Sequence, residues 1–148
     1  MSPRLPSGVG TTYNAGDSIV MAGGGSVSGK DTTGDSGRRA EELAARFLER
    51  KGLRVLARNF RCRGGEIDLV CADGAALVFV EVRLRRHAGY GGAAASVTQA
   101  KQRRVILAAR HYLAAHAAAE RDCRFDCVLL DGLAGAGIEW VRDAFAAD

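Results

Sequence analysis

Glu66-Ile67-Asp68-Leu69-Val70-Cys71 and Leu77-Val78-Phe79-Val80-Glu81-Val82-Arg83 are two β-rich runs separated by a turn that contains Asp73-Gly74. Such runs with such a turn read as a hairpin. With the loop taken as Asp73 to Ala76, Ala72 faces Leu77, Val70 faces Phe79, Asp68 faces Glu81 and Glu66 faces Arg83. Strand side chains alternate, so these pairs share one face while Ile67, Leu69, Cys71, Val78, Val80 and Val82 fill the other. A two-residue loop would set Asp68 and Glu81 diagonally and leave them on that same face. Either way, two acids meet inside apolar strands.

On the N-terminal side, Ala40, Leu43, Ala44, Phe47 and Leu48 recur at helical spacing, with Arg46, Glu49, Arg50 and Lys51 outside. This predicts an amphipathic helix from Arg38, capped by Ser36 and ended by Gly52. Leu53 to Phe60 alternates as a short strand, and Arg61 to Gly65 is a basic, glycine-containing connection. Beyond the hairpin, Arg83 to Ala95 is basic and glycine-rich and reads as a mobile loop. Ser96 with Gln99 resembles a capping pair for a helix of roughly Val97 to His116, with Val105, Ala109, Tyr112 and Leu113 inward. Arg124 to Leu130 and Ile138 to Val141 are further strands. The order predicts an α/β domain with a central mixed sheet flanked by helices.

At 148 residues, 47% hydrophobic and 26% charged, the chain suits one domain. Residues Met1 to Ser36 stand apart: both prolines, many Gly, Ser and Thr, and few charges. Such a stretch buries too little apolar surface to offset its ordering entropy and is expected to be a disordered leader, with the domain from Gly37 to Asp148. Met21 offers an alternative start. The leader's longest apolar run, Ile19-Val20-Met21-Ala22, is too short for a signal peptide or membrane span, so a cytoplasmic protein without membrane contact is expected. The formal net charge is +4, and with two basic and three acidic residues in the leader the domain itself carries +5, which favours polyanions although many soluble domains carry as much. Cys62, Cys71, Cys123 and Cys127 include no C-x-x-C pair and no histidine at zinc-finger spacing, which argues for reduced thiols rather than structural zinc.

Asp68 and Glu81 carry the chemistry. Burying a carboxylate costs free energy unless a cation accompanies it, and two facing carboxylates also repel. A hard divalent ion, Mg²⁺ or Mn²⁺, answers both problems. Salt bridges, Glu66 with Arg83 and Asp68 with Arg61 or Arg63, answer them equally well without any metal.

The segments Gly64 to Val70 (G-G-E-I-D-L-V), Val78 to Arg83 (V-F-V-E-V-R), Tyr90 to Val97 (Y-G-G-A-A-A-S-V) with Lys101, and Cys123 to Asp126 (C-R-F-D) resemble the YraN-like family of predicted bacterial endonucleases. That family is similar to Holliday junction resolvases and so to the PD-(D/E)XK nuclease superfamily. The resemblance runs from Gly37 to about Phe145 and implies a restriction-endonuclease-like fold. It places the superfamily's first-helix acid on Glu41, its metal-binding aspartate on Asp68, its glutamate on Glu81 and its lysine position on Arg83. Glu41 either completes the metal shell or is simply an acid favoured by the helix macrodipole. Arginine stays charged, so Arg83 can steady a phosphate but is a poor base. Lys101 either replaces the missing lysine or binds a phosphate.

The implied activity is Mg-assisted phosphodiester hydrolysis of structured or branched DNA by a homodimer, with Arg85, Arg86, Lys101, Arg103 and Arg104 contacting phosphates. Two alternatives stay open: a catalytically inactive nucleic-acid-binding protein on a nuclease scaffold, which Arg83 permits, and an interaction protein whose acids are salt-bridged.

Overall fold

The computed structural model describes residues 32–85, 97–118, 120–134 and 137–147. The leader up to residue 31, Arg86, His87, Tyr90 and Ser96 lie outside these. Helix α1 (Thr32–Arg50) leads into β1 (Arg54–Cys62), β2 (Gly65–Asp73) and β3 (Ala76–Leu84); helix α2 (Gln99–Ala115) then precedes β4 (Cys123–Leu130) and β5 (Ile138–Phe145). The strands form one mixed sheet in the order β1-β2-β3-β4-β5, parallel only between β3 and β4. A parallel pair needs a crossover, and the connection that carries α2 supplies it. The expected α/β domain with a helix-flanked mixed sheet is the one observed. Among the described residues no helix is long and apolar enough to cross a membrane.

Each helix covers one face. Ala40, Ala44, Ala45 and Leu48 of α1 pack on Leu69, Cys71, Val78 and Val80; the three alanines let the helix lie close. Val105, Ala109, Tyr112 and Leu113 of α2 are buried as expected and pack with Ala108 against Phe60, Phe79 and Phe125. Each of these fully buried aromatics stabilises the fold by about 1.5–3 kcal/mol.

Four local expectations are corrected. Helix α1 begins at Thr32, not Arg38, so Ser36 lies within it rather than capping it; Gly52 does follow its end, at φ +99°. The cap of α2 is Thr98, whose side chain accepts from the Lys101 N–H at 3.2 Å. The β2–β3 loop is only Gly74-Ala75, because Asp73 pairs with Ala76, and the register is still the one that pairs Ala72 with Leu77 and Val70 with Phe79. Ile67 is the fourth: it packs on the α2 face with Val70, opposite Leu69 and Cys71.

That change of face locates the site. In β1, Arg58 pairs with Leu69 and turns toward α1, whereas Phe60, two residues on, pairs with Ile67 and turns toward α2. Between them stands Asn59 at φ +52°, a left-handed conformation that asparagine adopts more readily than most residues. Both strands roll over there, and Asp68 sits at the roll.

Candidate active site

The β2–β3 ladder runs from Asp73↔Ala76 to Leu69↔Val80, and the next rung would join Asp68 to Glu81. Among the described residues that rung is missing. Strand β2 continues with β1 to Gly65↔Cys62, and β3 with β4 to Leu84↔Leu130, so the two strands part at the acids. Asp68 Oδ2 fills the gap by accepting the Val82 N–H at 2.8 Å. A cleft of about 540 Å³ opens at this fork, and its lining includes Glu41, Asp68, Glu81, Arg83 and Lys101. The structure therefore brings together the five residues singled out for catalysis.

Their environments differ. Glu81 is 2% exposed, and its Oε1 has no hydrogen-bond partner among the described residues. Burial first, then the charge of Asp68, pushes its carboxyl up to about 8, with the Lys101 ammonium opposing. Burial also raises Asp68 above the usual carboxylate range, against the Val82 N–H bond that lowers it. Glu41, on α1, is raised to about 7 by burial and then by Asp68, while the hydrogen bond from Asn59 Nδ2 to Glu41 Oε1 at 3.0 Å pulls it back. Lys101 Nζ reaches in from α2 to 3.6 Å from Glu81 Oε2. Arg83 is exposed at the rim.

These groups fit a hard cation. Glu81 offers a buried oxygen without a hydrogen-bond partner among the described residues, and a positive ion offsets both the burial and the repulsion from Asp68 that raise Glu81 and Glu41. Among the described residues no group of three or more His, Cys, Asp and Glu side chains could hold a metal. Magnesium needs no such cage, since it is commonly held by one or two carboxylates together with water and substrate phosphates.

Among the described residues the bridges expected of Asp68, to Arg61 or Arg63, do not form, although Glu81 does pair with Lys101 at 3.6 Å. Glu66 pairs with Arg61, Lys101 and Arg104 rather than with Arg83. Of the expected phosphate contacts, Arg86 lies outside the described residues, and Arg85 is held by Asp131 and Glu139. Arg104 shares the Lys101 side of α2, one turn on, while Arg103 is exposed on a different side. His116 stacks on Tyr112, ring centroids 3.9 Å apart, away from the cleft.

Two residues escaped the sequence reading. Asn59, which turns β1 and holds Glu41, carried no signal beyond being an asparagine inside a strand. Asp126, in the C-R-F-D run, is fully buried and accepts from Arg124, Trp140 Nε1 and the Asp143 N–H. That motif ties β4 to β5 and takes no part in the cleft.

The family model described as "Uncharacterised protein family UPF0102" matches residues 40–130. A UPF0102 protein of Dechloromonas aromatica is 58% identical over 122 residues, covering 82% of this chain and 98% of its own length. One from Methylobacillus flagellatus is 56% identical over 111 residues, 75% of this chain and 96% of its own. One from Aeromonas hydrophila is 50% identical over 111 residues, 74% and 83%.

Proposed function

This chain belongs to the UPF0102 family, and from that premise we propose that it is a metal-dependent endonuclease for structured or branched DNA, similar to Holliday junction resolvases and acting as a homodimer. The observation that carries the reading is Glu81: a buried carboxylate whose Oε1 has no hydrogen-bond partner among the described residues, set beside Asp68 where two strands separate.

Asp68 and Glu81 would hold Mg²⁺ or Mn²⁺, and what such an ion supplies when bound is Lewis acidity toward a water molecule and the scissile phosphate. The chain's own residues do the rest. Val82 fixes Asp68 through its N–H. Arg83, a permanent cation at the rim, balances the charge that grows on the phosphate oxygens. Glu41, held by the Asn59 side-chain amide, can orient a water in the cleft. Lys101 keeps a positive charge beside Glu81.

The second reading, a binding protein that no longer cleaves, draws support from one observation: arginine stands at 83, where the related nucleases carry lysine. A cleavage assay over single-stranded, duplex, flap and four-way DNA with Mg²⁺ or Mn²⁺ separates them. Metal-dependent cleavage, lost in Asp68→Asn, supports the nuclease; binding without cleavage of any substrate supports the alternative.

A further inference from the structure

Glu66 lies where three cations meet. Its Oε1 accepts from Arg104 at 3.1 Å and stands 3.6 Å from Lys101 Nζ, and its Oε2 stands 4.0 Å from Arg61 Nε. The Glu66 side chain is only 27% exposed, although Arg61 and Arg104 are more than half exposed. Exposed ion pairs add little to stability, so folding alone does not account for three cations gathered on one acid. A carboxylate with two anionic oxygens is also the closest side-chain likeness to a phosphodiester, and guanidinium groups suit both.

The location gives the cluster a purpose. The main cleft shares Arg83 and Lys101 with a second cavity of about 230 Å³, and that cavity shares Arg104 with a third of about 280 Å³, lined by Arg61, Gly65 and Glu66. The three cavities thus adjoin one another from Glu81 past the start of α2 to the β1–β2 turn, with Arg83, Lys101, Arg104 and Arg61 along them. Lys101, 3.6 Å from both Glu66 and Glu81, links the two ends.

We propose that Arg61, Lys101 and Arg104 form a seat for a non-scissile backbone phosphate, and that Glu66 occupies this seat until a polynucleotide displaces it. The proposal rests on the nucleic-acid reading above. Glu66 is then an internal competitor that lowers affinity for weakly held polyanions, and its displacement frees Lys101 and Arg104 together.

The test is fluorescence anisotropy of a labelled oligonucleotide in EDTA, over a salt series, with wild type, Glu66→Gln, Arg104→Ala and the double variant. Glu66→Gln is expected to bind several-fold tighter with a steeper salt dependence, Arg104→Ala to bind more weakly, and the double variant to lose the gain. Equal or weaker binding by a Glu66→Gln protein that melts like wild type overturns the proposal. So does tightening toward inorganic phosphate that is absent for the oligonucleotide. Should Glu66→Gln be unfolded, Arg61→Ala carries the test: a weaker complex with a shallower slope is expected, and unchanged binding overturns the seat. EDTA silences hydrolysis, so the two readings fail separately. Cleavage without tightening removes the seat alone, and tightening without cleavage removes the nuclease alone.

Discussion

The Val82 N–H donates to Asp68 Oδ2 at 2.8 Å across the fork between β2 and β3. One side-chain oxygen thus takes the place of a ladder acceptor, which satisfies the Val82 donor and holds the carboxylate in the cleft. The same bond keeps the fork open, because a regular rung at this level would join the two backbones and close the space around Glu81.

Arg83 distinguishes an enzyme from an inert binder. If the site cleaves, Arg83→Ala should lower the cleavage rate by about 10²-fold or more, the usual loss for one transition-state donor, while Arg83→Lys keeps or raises it. DNA affinity should change far less in both. Single-turnover cleavage at saturating protein is the measurement, and a robust rate indifferent to Arg83→Ala would shift the role to Lys101.

The raised carboxyls make stability depend on pH. Glu41 and Glu81 titrate at about 7 and about 8 in the fold, against 4.5 when unfolded. As pH climbs through 4.5 the unfolded chain releases protons that the folded chain keeps, so these two groups, together with the likewise raised Asp68, make stability fall toward about pH 8. Thermal melts in EDTA should show this decline, and Glu81→Gln should show a shallower one and melt above wild type at the alkaline end. Parallel curves for the two proteins would remove Glu81 as a source.

Asp126 should matter for stability and not for the cleft. Its carboxylate is 0% exposed and bonded by Arg124, Trp140 and Asp143. Removing one partner of a buried charged network typically costs about 3–5 kcal/mol, so Asp126→Ala should shift the urea midpoint far downward. A shift no larger than that of an exposed control such as Glu49→Ala would contradict the structural role.

How much of this was legible depended on which physics set each feature. That Asp68 and Glu81 come to the same level follows from the strand register, which the two-residue Gly74-Ala75 loop preserves as far as Leu69↔Val80, one rung short of the acids. The roll at Asn59 and the fork at Asp68 were not legible, because a left-handed residue inside a strand is imposed by tertiary packing and leaves no periodic trace. Gly64-Gly65 stood out as a motif, yet its reason is steric: a Cβ on Gly65 would lie 2.4 Å from the Arg104 carbonyl oxygen. Two of the three partners of Glu66, Lys101 and Arg104, come from α2, far along the chain, and the third, Arg61, lies across from it on β1, whereas the hairpin alone pointed to Arg83.

The claim that Asp68 and Glu81 hold one divalent ion is tested most directly by titration calorimetry with Mn²⁺ on wild type, Asp68→Asn and Glu81→Gln, all confirmed folded by thermal melting. The account predicts saturable heat for wild type that is lost or greatly weakened in both variants. Equal heats for all three proteins, or none for wild type, would contradict it.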